Sequence, residues 1–335
     1  MKVLAIESTC DETAAAVVEG GERGIRVITN IVASSADIHT KYGGVVPEVA
    51  AREQIKSIVP VLTEALNGTE MKDVDAIAVA YGPGLIGSLL VGIETARALA
   101  LAWNKPLIRV NHIEAHVAAN WILSEVRKTT PKLPAIGLII SGGHTDIVLV
   151  EDYKHWKWIG GTVDDAAGEA FDKVARILRL PYPGGPSIQK AAEIVDETFE
   201  VSKLPRPMIH EHNLKMSFSG LKAAVAKVVG KELNPDQVNG VAREFNEAVA
   251  EVLARKTAEA IDVHQPRTFL VAGGVAANKM IREKLQEMAL SKGLDIFLPE
   301  LRYCGDNAAM VGAAAILNPD YIEIENLGPE PSLML

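Results

Sequence analysis

Lys2-Val3-Leu4-Ala5-Ile6, then Glu7-Ser8-Thr9-Cys10-Asp11-Glu12-Thr13, then Ala14-Ala15-Ala16-Val17-Val18 is an apolar run, a polar turn and a second apolar run. That order reads as a β-hairpin. The same grammar returns at residues 135–140, 141–146 and 147–150. The two hairpins begin about 130 residues apart, a domain-sized period that points to an internal duplication. Strands alternate with helices between and after them. The pattern predicts an α/β fold of two lobes with mixed sheets, each lobe opened by a hairpin.

Working outward, residues 76–80 form a short buried-type strand, Gly82-Pro83-Gly84 a turn, and residues 85–103 a long helix with small residues at Gly87, Ser88, Gly92 and Ala96. Residues 107–110 read as another strand, and Asn111 is placed to cap the helix after it. Charge, threonine and proline mix over 124–134, which marks the lobe boundary. The expected organisation is an N-terminal lobe over 1–130, a C-terminal lobe over 131–299, and a segment 300–335 that packs back on the first. In the second lobe the pattern predicts a helix over 165–180, a Pro/Gly loop over 181–187 and a helix from Ile188. Amphipathic helices follow near 218–230 and 236–263, then a strand over 269–272 and a helix over 276–291. The tail after Asn318 shows no period and reads as irregular.

Apolar residues make up 48% of the chain, enough for two buried cores, and a charged fraction of 23% is ordinary. A net charge of −9 argues against an autonomous basic nucleic-acid binder, while leaving room for a local basic patch. Cys10 and Cys304 lack CxxC spacing, so no disulfide framework is expected and a reducing compartment fits. The N-terminus reaches Glu7 after a short apolar run and does not read as a signal peptide. No stretch comes near the ~20 apolar residues that span a bilayer. These features predict a cytoplasmic protein without a membrane partner.

His112 and His116, four residues apart, fall on one helix face roughly a turn apart. Both rings can reach one divalent metal ion and leave positions for a carboxylate and a substrate. In His112-Ile113-Glu114-Ala115-His116 the glutamate lies about 200° round the helix from His112, so the zinc-peptidase arrangement is not met. A third ligand has to come from elsewhere. Asp306, in Cys304-Gly305-Asp306-Asn307, stands at the mouth of an apolar helix over 308–317, where it either projects into a cleft or caps that helix.

Glycine-rich turns accompany the histidines. Ser141-Gly142-Gly143-His144-Thr145-Asp146 offers backbone N–H groups and hydroxyls to an anion. Ala272-Gly273-Gly274-Val275-Ala276-Ala277-Asn278 is a strand–turn–helix in which Asn278 can pair with a ribose or base. Tyr182-Pro183-Gly184-Gly185-Pro186 is the third such turn. None matches the Rossmann or Walker pattern. Asp172, mid-helix, either accepts ribose hydroxyls or is a solvated charge beside Lys173. A metal pair beside several glycine turns points to metal-assisted chemistry on a phosphorylated ligand.

These residues, with Ile6 to Thr13, Tyr42-Gly43-Gly44-Val45-Val46-Pro47-Glu48, Asp165 to Lys173, Ser217-Phe218-Ser219-Gly220-Leu221-Lys222 and Asp306-Asn307, resemble the TsaD (formerly Gcp) family. The motifs run in order from residue 3 to about 317, in the form of the bacterial and organellar branch. The resemblance implies the actin/Hsp70/sugar-kinase-like (ASKHA) architecture, with duplicated RNase-H-like mixed sheets and a cleft between two lobes. It implies transfer of a threonylcarbamoyl group from threonylcarbamoyl-AMP to N6 of the adenosine at tRNA position 37 in ANN-decoding tRNAs, with release of AMP. His112, His116 and Asp306 would match the family's metal ligands for zinc or iron. Ile139, Ile140, Ser141, Gly142, Gly143, Asp172, Gly185 and Asn278 would match its nucleotide-binding positions. Glu12, on the first hairpin turn, is the candidate for orienting substrate.

Because tRNA affinity rests on Lys and Arg contacts, the acidic balance implies help with the phosphate backbone. The resemblance implies a TsaB-like paralogue and a TsaE-like ATPase as partners, or a homodimer in the organellar type. The chain departs from the family pattern at Gln54, where histidine is common, and at Gly305, where Thr or Arg usually precedes the late aspartate. Competing readings are a metallopeptidase, a non-catalytic nucleotide-binding scaffold, a small-molecule carbamoyltransferase of the same fold, and a sugar kinase or chaperone. The geometry of Glu114 counts against the first, and the His112/His116/Asp306 set counts against the scaffold, the kinase and the chaperone.

Overall fold

The computed structural model describes residues 1–40, 44–125, 127–195, 201–229 and 234–334; of the motif at 42–48, Tyr42 and Gly43 lie outside them. The chain forms two compact units, Met1–Pro131 with Pro299–Leu335, and Lys132–Leu298.

Unit 1 opens with β1 (Lys2–Glu7), β2 (Glu12–Gly21) and β3 (Gly24–Ser34), followed by the short α1 (Ala36–Thr40) and α2 (Pro47–Ala65). Next come β4 (Ala76–Gly82), α3 (Ile86–Trp103), β5 (Leu107–Asn111) and α4 (His112–Ala118). β1 runs antiparallel to β2, with Val3 opposite Val18, and parallel to β4, with Val3 opposite Ala76. Its residues from Val3 onward are all buried, as expected of a strand covered on both faces. On one face Leu4, Ile6, Ile77 and Val79 pack with Ile58 and Leu62 of α2 and Leu89 and Ile93 of α3. By length and composition α3 is apolar enough to cross a membrane, which corrects the expectation that no stretch comes near that limit. Its apolar residues include Leu89, Ile93, Ala96 and Ala100, which are buried in this core.

Unit 2 repeats the plan. β6 (Ala135–Ile140), β7 (Thr145–Val150) and β8 (Trp156–Thr162) form an antiparallel meander. α5 (Ala167–Ile177), α6 (Gly184–Ile194), β9 (Lys215–Met216), α7 (Ser219–Val229), α8 (Pro235–His264), β10 (Thr268–Ala272), α9 (Lys279–Ser291) and β11 (Asp295–Phe297) complete it. β10 lies parallel to β6, with Phe269 opposite Ile136. The sheet order β11-β10-β6-β7-β8-β9 matches β5-β4-β1-β2-β3 of unit 1 over its first five strands. The hairpin turns at 8–11 and 141–144 therefore occupy equivalent places.

The chain then returns to unit 1 as α10 (Ala308–Leu317) and β12 (Asp320–Ile322). α10 is apolar all round and buried, packed on β1, β2 and α4. Gly312 allows this approach, because a Cβ there would sit 2.4 Å from Val18 Cγ2.

Three expectations change. The helix expected from Ile188 begins at Gly184, so the Gly-Gly pair is its first turn. The helix expected from Ala276 is split into a 3-10 turn at Gly274–Ala277 and α9, because Asn278 caps α9 through Ile281 N. The tail expected to be irregular supplies β12, antiparallel to β5.

Candidate active site

β5 delivers Asn111, whose side chain accepts the Ile113 N–H at 2.8 Å and starts α4. The next residue is His112, and His116 lies one turn on, its ring edge-to-face with the first at 4.6 Å between centroids. Asp306 arrives just before α10. The N-cap of α10 is Asn307, whose side chain accepts the Met310 N–H at 3.1 Å. Asp306 is thereby released from capping and stands with its Oδ1 3.6 Å from His112 Nε2 and 3.2 Å from His116 Nε2. One ligand atom from each of the three residues lies within 4.8 Å of the others. His116 is buried, yet neither ring nitrogen has a hydrogen-bond partner among the described residues, and its approach to Asp306 is close without being aligned. A buried imidazole left unpaired is costly unless a ligand completes it. Two histidine nitrogens and a carboxylate oxygen are a donor set suited to zinc or iron.

Glu7, at the end of β1, was not anticipated from the sequence. Fully buried, it places Oε2 2.9 Å from His112 Nδ1, while Oε1 accepts the Thr9 N–H at 2.6 Å. Thr9 Oγ1 lies 3.2 Å from the same Nδ1. The Glu7 carboxylate keeps a proton on Nδ1, which leaves Nε2 as the ring atom that faces Asp306. Burial alone would lower the His112 pKa, but the Glu7 and Asp306 carboxylates outweigh it and push it up to about 9. The sequence signal was a charged residue ending an otherwise apolar, fully covered strand, which needs a partner.

Glu12 sits at the start of β2, its Oε1 accepting from Ser34 Oγ at 3.3 Å. Burial, then Asp306 and Asp11, push its pKa up to about 9. Cys10 is a free thiol pushed upward by burial and by the Asp11 and Asp306 carboxylates, which opposes thiolate chemistry. Burial, then repulsion from the Asp320 carboxylate, push the Glu114 pKa up to about 7.

Unit 2 holds a cavity of about 370 Å³ whose lining includes Gly142, Phe171, Asp172, Gly185, Gly274 and Asn278. Ile139 and Ile140 are fully buried at the end of β6 and leave only backbone to offer. Ser141 and His144 close the hairpin turn, Ser141 N donating to His144 O at 2.8 Å and His144 N to Ser141 Oγ at 3.1 Å. Asp172 accepts the Gly184 N–H at 2.7 Å, pinning the start of α6, while Lys173 pairs with Asp165 and Glu169. Asn278 Nδ2 donates to Asn246 Oδ1 at 3.0 Å while its Oδ1 caps α9. A Cβ added at Gly142, Gly143, Gly185 or Gly274 would meet nothing within 4 Å. At Gly168 and Gly184 it would strike backbone at 2.5 Å, and at Gly273, with φ +91°, it would strike Ile140 O at 2.5 Å. One set of glycines leaves open space and the other permits packing.

Residues 26–313 match the family model described as TsaD, tRNA N6-adenosine threonylcarbamoyltransferase. The chain belongs to the TsaD family. A tRNA N6-adenosine threonylcarbamoyltransferase of Moorella thermoacetica is 49% identical over 93% of this chain and 90% of its own length. A protein of the same description from Clostridium perfringens is 46% identical over 99% of this chain and 98% of its own. Among solved structures, HypF from T. kodakarensis superposes with a TM-score of 0.60 at 15% identity, over 93% of this TsaD-family chain and 46% of that one. The activator of 2-hydroxyisocaproyl-CoA dehydratase from Clostridium difficile gives 0.51 at 13% identity, over 94% of both chains. At that identity the likeness is one of fold, and the fold is the α/β ASKHA type with duplicated RNase-H-like sheets.

Proposed function

We propose that the chain transfers the threonylcarbamoyl group from threonylcarbamoyl-AMP to N6 of the adenosine just 3′ of the anticodon in ANN-decoding tRNAs. The observation that carries this reading is the His112, His116 and Asp306 cluster, with its buried unpaired His116, in a chain whose family is tRNA N6-adenosine threonylcarbamoyltransferase. In the reaction the N6 amine attacks the carbamoyl carbon, the bond from that carbon to the phosphate oxygen breaks, AMP leaves and the amine loses a proton. The anhydride is already activated, so the protein's task is positioning and charge stabilisation.

His112, His116 and Asp306 would hold one divalent ion, zinc or iron, which would supply Lewis-acid polarisation and a template. Glu7 and Thr9 hold His112 through Nδ1, which leaves Nε2 as the atom that would ligate. Glu12 orients the transferred group from the adjacent turn. In unit 2 the backbone from Ile139 to Gly143, with Asp172, Gly185 and Asn278, receives the nucleotide part, where the small residues let it approach the main chain. A tRNA acceptor and the bacterial relatives favour a cytoplasmic setting.

The net charge of −9 favours a partner that contributes to tRNA binding. A TsaB-like paralogue and a TsaE-like ATPase fit this role, with a homodimer as the alternative. The exposed Ile55 and Val59 of α2 and Ile86 and Leu90 of α3, two helices that pack together, are the surface we assign to that contact.

The experiment is nucleoside mass spectrometry after mixing the chain, threonylcarbamoyl-AMP, unmodified ANN-decoding tRNA and candidate partners, beside a His116→Ala control. Modified adenosine in the wild-type reaction alone supports the acceptor and the metal cluster. AMP release without modified tRNA would move a small-molecule carbamoyltransferase to first place. Sustained turnover by the isolated chain would remove the partner proposal.

A further inference from the structure

The turn that carries Thr9 and Cys10, with Glu12 at its end, is held from outside through its carbonyls. Gln54, on the buried face of α2, directs Nε2 at three carbonyls of this turn: Ser8 O at 3.2 Å, Cys10 O at 3.1 Å and Glu12 O at 2.9 Å. A carboxamide nitrogen has two protons, so its whole donor capacity is spent here, shared among three acceptors. Its other end is unpaired. Gln54 is 1% exposed, and Oε1 has no hydrogen-bond partner among the described residues. A buried amide oxygen without a donor costs stability, a cost an apolar side chain of the same bulk would avoid. What the carboxamide supplies in return is the N–H pair.

Ser88 of α3 reinforces the hold, its Oγ donating to Cys10 O at 2.9 Å and its carbonyl accepting from Ser8 Oγ at 2.8 Å. The turn is thus fixed to α2 and α3 through its carbonyls and the Ser8 hydroxyl. Thr9 is the turn residue that reaches the ligand cluster, its Oγ1 3.2 Å from His112 Nδ1.

We propose that Gln54 is a positioning residue of the active site: its carboxamide fixes the turn so that Thr9 stands against His112. The shape of the His112, His116 and Asp306 cluster is therefore set in part from a helix that supplies no ligand. This rests on reading those three residues as a metal site.

The test is calorimetric titration of the metal-free, full-length chain with zinc. Wild type is compared with Gln54→Met, which keeps the bulk and removes the donor, and Gln54→His, which offers a ring N–H. Circular dichroism follows the fold. The expected result is one zinc bound by wild type, binding about tenfold weaker in Gln54→Met, and recovery to within about threefold of wild type in Gln54→His. Failure of wild type to bind zinc removes the metal reading and this inference with it. Wild-type binding matched by a folded Gln54→Met overturns the inference alone. So does a folded Gln54→His as weak as Gln54→Met, since the donor would then not be what matters. If Gln54→Met does not fold, Gln54→His decides: affinity within about threefold of wild type upholds the role, and a loss of about tenfold or more overturns it.

Discussion

The turn between β1 and β2 and the turn between β6 and β7 hold the same place in a duplicated sheet, and they are built from opposite materials. In unit 1 the turn is acidic, and its carbonyls are tied down by Gln54 and Ser88 from two other elements. In unit 2 it is Ser141-Gly142-Gly143-His144, closed by its own Ser141 and His144. The first presents crowded ionisable side chains beside two histidines. The second removes side chains, and its neighbours Gly185 and Gly274 also leave open space. An ion needs ligand atoms brought together against their mutual cost, whereas a nucleotide needs main chain laid bare. On the proposed function one topology would serve both, with only the loops at the strand ends diverging.

The sharpest way to break this contrast is to remove a ligand from the crowded side. His116→Ala is expected to lower transfer on the order of 10³-fold, from several kcal/mol of lost charge stabilisation, while nucleotide affinity measured by calorimetry stays within about twofold. A parallel loss of nucleotide binding would show that the two sites are not separable. Next in size is Glu7→Gln. Gln retains an acceptor for Thr9 N–H but no longer a carboxylate against His112, so zinc affinity is expected to fall about 10- to 100-fold. Equal affinity would remove Glu7 from the site.

The parts legible in the sequence were those where one residue type has one physical use. Continuous apolar runs such as Val3 to Ile6 and Ala135 to Ile140 gave the central strands because both faces are covered. His112 and His116 gave a shared helix face by spacing alone. What stayed hidden depended on a choice between equivalent neighbours. Asp306 and Asn307 are both capping residue types, and only the backbone shows that Asn307, extended at φ −158° and ψ 154°, takes the cap. Gly184-Gly185 reads as a loop because glycine disfavours helix, yet α6 starts there since nothing larger than Gly184 fits against Asp172. Gln54 looked like a plain departure from a family pattern until three carbonyls converged on it.

The bare side of the contrast is tested by putting side chains back. Gly185→Ala points a methyl into open space in the first turn of α6. Stability is expected to rise by about 0.5–1 kcal/mol, because alanine is the better helix former. Nucleotide affinity is expected to fall about tenfold as the methyl occupies ligand space. Gly168→Ala is the control of opposite sign. Its Cβ would lie 2.5 Å from Ser141 O and 2.8 Å from Gly142 Cα, so it should destabilise by about 1–3 kcal/mol. If both substitutions only destabilise, Gly185 is a packing glycine and the cavity loses that wall.

The smallest expected effect on transfer concerns two carboxylates, one in each unit, that are shifted in opposite directions. Glu12 of unit 1 is raised to about 9 because burial is compounded by Asp306 and Asp11. Glu244 of unit 2 is buried, and burial alone would raise it. Arg206, the Leu204 N–H at 2.8 Å and Lys203 at 3.1 Å outweigh burial and hold it below the ordinary carboxylate range. A carboxylate with a depressed folded pKa adds stability that is fully present above its unfolded value and is lost as pH falls through the folded one. Wild type should therefore lose stability below about pH 4.5 partly through this group. Glu244→Gln, which keeps an acceptor for Leu204 but carries no charge, should lower Tm at pH 7 and flatten the acid limb. The difference between the two proteins should shrink by roughly 3 °C between pH 7 and pH 3. Transfer activity at pH 7 should be unchanged, since Glu244 lines neither site. A difference that is constant with pH would mean that packing, and not charge, is what Arg206 and Glu244 contribute.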